Sequence, residues 1–193
     1  MNVATDAEVL KWLADNEWNH GIKADGTNLY YVESAANCIE LKFPETPLRV
    51  SYFARVASML GIADESLFDG ALLWITLSTI GSPQLEKAGW KLVEKMRQGF
   101  GENRPLQTAS GHFFRSDELV DLNAFLVPCF VYGWDAYVVP NSNNFFAYIS
   151  HDEYWGVVAR TQEVYDELFS ELKDLNPTES SGMRGRFCRH TNA

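Results

Sequence analysis

Three short β-rich runs crowd into residues 134–160, and the connections between them limit what this chain can fold into. Trp134–Val139, Phe145–Ser150 and Tyr154–Arg160 are dominated by aromatic and β-branched side chains. Pro140–Asn144 separates the first two runs and His151–Glu153 the last two. Both connections are too short for the crossover that parallel neighbours need, so the runs predict an antiparallel meander.

Helical patterns surround that block. Thr5-Asp-Ala-Glu8 has the form of a capping box and predicts a helix from Asp6 to about Asn16. Thr46-Pro47 opens a second helix, with Leu48, Tyr52, Val56 and Leu60 at helical spacing. Ser82-Pro83 opens a third, reaching Gln98, with Lys87, Lys91 and Lys95 in a row on its polar side. Ser116 suits the cap of a helix over Asp117–Val127, which Pro128 is expected to disturb. Thr161 caps a last helix, with Val164, Leu168, Leu172 and Leu175 inward and Glu163, Glu167, Glu171 and Asp174 outward. Asn28–Glu33 and Cys38–Phe43 read as a hairpin, and Ala71–Ile80 as a buried strand. The expected class is α+β: a largely antiparallel sheet with a C-terminal three-stranded meander and helices packed on one face. No long flexible linker interrupts the pattern, so residues 1–179 are expected to form a single domain followed by a flexible basic tail, 180–193.

Charge placement narrows the class of partner. Residues 117–179 hold twelve acids against Arg160 and Lys173, which is the whole net charge of −10. Outside them fourteen acids balance fourteen bases. Such a field repels nucleic-acid phosphates and attracts basic proteins. The longest apolar stretches are too short to span a bilayer, and the first residues lack the basic and apolar regions of a signal peptide. Cys38, Cys129 and Cys188 are odd in number and widely spaced, which suits reduced thiols and a cytoplasmic location.

Chemistry-bearing motifs are sparse. His151-Asp152-Glu153 is the densest titratable cluster and lies at a turn of the meander, where a histidine beside carboxylates can act as a general base or offer metal ligands. Asp135 or His112 is the further member such a site could recruit. Acidic turns are also common simply because they are solvated. His20, His112, His151 and His190 show no metal-binding spacing, and no Cys/His module appears, so no metal or cofactor is expected. Gly99-Phe-Gly101 with Arg104 lacks the strand and lysine of a phosphate loop, and Ser110-Gly-His112 lacks a nucleophile elbow.

The aromatic content of the meander suggests recognition instead. Trp134, Asp135, Tyr148, His151, Asp152, Glu153 and Tyr154 mix rings with acids, a combination suited to a protein interface if one sheet face is open. In size, acidity and helix-backed sheet the chain resembles bacterial immunity proteins, a likeness of composition that implies a binding or adaptor role. The leading expectation is a non-enzymatic protein that engages a basic partner through an acidic, aromatic surface in residues 117–179. A homodimer joining Lys87, Lys91 and Lys95 to the acidic last helix is compatible with it. The alternative is a small hydrolase or metal-assisted enzyme built on His151, Asp152 and Glu153.

Overall fold

The computed structural model describes residues 1–22, 28–31, 37–43, 69–76 and 83–179. The first half contributes β1 (Asn2–Ala4), α1 (Asp6–Asp15), β2 (Asn19–Ile22), β3 (Asn28–Tyr31), β4 (Asn37–Lys42) and β5 (Gly70–Ile75). The second half adds α2 (Pro83–Gly99), β6 (Gly111–Arg115), α3 (Leu119–Tyr132), β7 (Ala136–Pro140), β8 (Phe145–Ser150), β9 (Tyr154–Ala159), α4 (Gln162–Leu172) and β10 (Thr178–Glu179).

Eight strands form one sheet in the order β1-β6-β5-β7-β8-β9-β4-β10, and every neighbouring pair is antiparallel. The α+β class and the β7-β8-β9 meander are as the sequence predicts. Its last hairpin pairs Ser150 with Tyr154 across a three-residue turn. Glu153 takes the left-handed position there, at φ 63°, as the third residue of such a loop must.

The expected hairpin of 28–33 with 38–43 does not form. β3 pairs with β2 in a separate two-stranded sheet, while β4 inserts between β9 and β10. Cys38 is buried on one side of β4 and Ile39 and Leu41 on the other, so the strand is apolar on both faces and suits an interior place.

Three described helices share one face of the sheet. There Val93 of α2, Leu122, Phe125, Leu126 and Phe130 of α3, and Tyr165 and Leu172 of α4 meet Leu73, Ala136, Val138, Ile149, Trp155 and Val157. α3 lies over β5 and β6, and α4 over β4 and β9. The approach of α2 to α3 depends on Gly89, where an added Cβ would stand 2.5 Å from the Tyr132 ring and 2.8 Å from Trp134.

α1 lies on the opposite face, a departure from helices on one side. Val9 and Leu13 pack there with Leu72, Trp74, Tyr137, Val139, Phe146 and Tyr148. The reason is that β5 and β7 are buried along their whole length, so the second face also needs a cover. The capping box holds α1's start, with Thr5 N donating to Glu8 at 2.7 Å and Glu8 N to Thr5 Oγ1 at 3.3 Å. Trp74 Nε1 then donates to Asp6 at 2.8 Å, tying that first turn to β5.

Pro128 does not end α3. It sits inside the helix, which continues to a left-handed cap at Gly133, φ 62°, with Trp134 N bonded to Cys129 O at 2.9 Å. An interior proline costs about 3 kcal/mol, while burying a large apolar side chain returns about 1.5–3 kcal/mol. Cys129 and Phe130, both fully buried just beyond it, offset the penalty. The predicted helix over 48–60 and the basic tail 180–193 lie outside the described residues. No helix among the described residues is long and apolar enough to cross a membrane.

Candidate functional site

The cap of α3 delivers Asp135 to the foot of β7, and the register of the meander carries the β8–β9 turn to the same end. Ala136 pairs with Ile149, which brings the residues just before one and just after the other together. The carboxylate of Asp135 is buried, and its Oδ1 collects three donors. Tyr148 OH donates at 2.9 Å, His151 N at 2.9 Å, and the His151 ring Nδ1 lies at 3.0 Å. Facing only carboxylate oxygens, Nδ1 must carry its hydrogen there. The other ring nitrogen, Nε2, lies 3.3 Å from Asp152 Oδ1.

His151 is thus a solvent-facing imidazole, its side chain 41% exposed, oriented from behind by a buried carboxylate. That is the arrangement by which an acid fixes the tautomer of a general base. Among the described residues its ring nitrogens meet those two carboxylates, and no hydroxyl or thiol is bonded to it. The same pairing also has a plain structural effect: it staples the β8–β9 turn to the beginning of β7.

Of the sequence-predicted site residues, Asp135, Tyr148, His151 and Asp152 form this one network. Tyr154 is half-buried with its ring centroid 6.2 Å from that of Tyr148, and Glu153 is an exposed turn residue. Trp134 is not part of the network. It is buried on the helical side between Trp90 and Tyr132. His112 is also elsewhere, in the core beside Phe125. Burial there, and the positive charge of Arg97, push its pKa down to about 3. No group of three or more His, Cys, Asp or Glu among the described residues converges to hold a metal ion. Cys129 is buried, which pushes its thiol up to about 12 and leaves it inert.

The aromatic half of the expected binding surface is interior. Trp134, Tyr137, Phe146, Tyr148 and Trp155 are all at or below 5% exposed, because both sheet faces are covered. Exposed apolar surface lies instead on α3, where sequence reasoning missed it. Val120 is 74%, Val127 43% and Val131 47% exposed, and Ala124 is exposed between them. At these spacings the four lie along one side of the helix. The signal was present in the sequence: α3 is apolar apart from Asp121 and Asn123, and so apolar a helix is normally covered on most sides.

On the same sheet face α4, over β4 and β9, exposes Glu163, Asp166, Glu167 and Glu171. Comparison with protein-family models, curated proteins and solved structures gives no match to this chain. The class that fold and site define is an α+β protein with helices on both sides of an antiparallel sheet.

Proposed function

We propose that this protein acts by binding another protein through the α3 ridge, with the acidic surface of α4 steering the encounter. The observation that carries the reading is the line Val120, Ala124, Val127 and Val131, exposed on a helix whose other sides are buried. Contiguous apolar surface left in water marks an interaction site more often than solitary exposed side chains do. The occupant is a protein with an apolar centre and a basic rim, because residues 117–179 carry twelve acids against two bases. The meander's rings are buried and do not touch the partner.

The test is a capture experiment with three proteins: wild type, Val127→Asp/Val131→Asp, and Glu163→Lys/Glu167→Lys/Glu171→Lys. A basic protein retained by wild type, lost by the ridge variant and bound more slowly by the charge variant supports the reading. The same retained proteins in all three arms would overturn it, and capture of the chain by itself would replace it with self-association.

A second reading rests on the Asp135–His151 pair. A buried carboxylate behind an exposed imidazole is competent for general acid–base work on a bound substrate. Turnover of a panel of esters, phosphoesters and amides that disappears in His151→Ala would support it. Equal rates in wild type and that variant would end it.

A further inference from the structure

The second half of the core contains a cation that no group among the described residues neutralises by a hydrogen bond. Arg97 stands in the last turn of α2, where its carbonyl accepts Phe100 N at 2.9 Å and Glu102 N at 3.1 Å. Its side chain runs inward and is 0% exposed, and Nε, Nη1 and Nη2 all lack a hydrogen-bond partner. His112, on the helical face of β6, is equally buried, and both of its ring nitrogens are likewise unpartnered. The Leu73 and Ser110 carbonyls approach that ring without completing a hydrogen bond. The carboxylate that interacts most favourably with Arg97, Glu102, is committed elsewhere: Arg104 Nε lies 3.0 Å from both of its oxygens and Arg104 N 2.7 Å from one. That grip holds the Glu102 carboxyl down at about 2.

Arginine does not shed its proton, so burial leaves a fixed charge with five N–H donors and no acceptor. A compact anion, which only accepts, suits it well. We propose that Arg97 holds a small inorganic anion of the halide class, chloride in ordinary solution. Arg97 supplies both the charge and the N–H donors. The burial of that side chain favours a compact ion over a bulky carboxylate or phosphate ligand and makes the anion part of the folded core.

The experiment compares melting in chloride with melting in gluconate, an anion too large to enter, at equal ionic strength. Wild type is expected to gain about 3–5 °C for each tenfold rise in chloride above its dissociation constant, and nothing specific in gluconate. Arg97→Met, which keeps the length and removes the charge, is expected to respond equally to both salts. Chloride NMR line broadening by wild type, relieved by added bromide, reads the same site without a variant. Equal melting shifts in the two salts, absence of line broadening, or a chloride-specific gain that survives in Arg97→Met would each overturn the proposal.

Discussion

Two histidines divide this molecule into contrasting regions. His151, at the surface end of the meander, is held by Asp135 on one ring nitrogen and Asp152 on the other. His112, under α3, is fully buried with neither nitrogen satisfied and feels the charge of the equally buried Arg97. The first region places a negative charge in the interior and surrounds it with donors. The second places a positive charge in the interior without a hydrogen-bond acceptor among the described residues. The difference teaches that a buried ion is well determined by its fold in one place and open to an external counter-ion in the other.

The largest effect should come from removing the satisfied ion. Asp135→Ala removes the buried acceptor shared by the Tyr148 hydroxyl and the His151 N–H groups, and denaturant unfolding should show a loss of about 3 kcal/mol. Arg97→Met at low chloride should move stability by less than about 1 kcal/mol, since an unpaired buried charge is replaced by an apolar chain of similar size. Similar losses in both variants would erase the contrast.

Next in size is a steric test of the helical side. Gly89→Ala places a methyl group within 2.5 Å of the Tyr132 ring, and the same unfolding measurement should register about 1–3 kcal/mol lost.

A pH series sharpens the comparison further. The folded pKa of His112 is depressed to about 3 from 6.5, so in the unfolded chain it binds a proton at a pH where the folded protein does not. Its contribution is therefore fully present above 6.5 and is lost as pH falls toward 3. Between about pH 7 and about pH 5 the loss should reach about 2 kcal/mol. The slope should vanish in His112→Leu. Glu102, whose carboxyl lies at about 2, keeps its contribution constant above its ordinary 4.5 and loses it only below, so it adds no slope in that window. The smallest effect belongs to the ridge: Val127→Asp should change stability by no more than about 0.5 kcal/mol, because the side chain is already in water.

How much of this was legible in the sequence depends on how local each determinant is. The meander, the Thr5 and Thr161 caps and the start of α2 at Pro83 were readable, because turn length and cap chemistry act over a few residues. β4's place was not, since its partner β9 lies over a hundred residues away and nothing near Cys38 encodes that pairing. Pro128 misled because its local penalty is offset by core packing that no window around it reveals. Apolar residues at both parities of β7, Tyr137 and Val138 alike, were consistent with an open or a doubly covered sheet, and α1 decided between them. The site's members were mostly named, yet their union depends on the Ala136–Ile149 register. The ridge was missed because the helix was expected to end at Val127, which cut its line of valines short.

Site-specific photocrosslinking tests the central claim, that α3's outer side is where a partner docks. A photoreactive side chain at position 127 should yield one adduct with a basic protein. That adduct should fade when Glu163, Glu167 and Glu171 are reversed to lysine, and should be missing when the probe is moved to Lys11 on α1. The same adduct from both positions, or none from 127, would contradict the account.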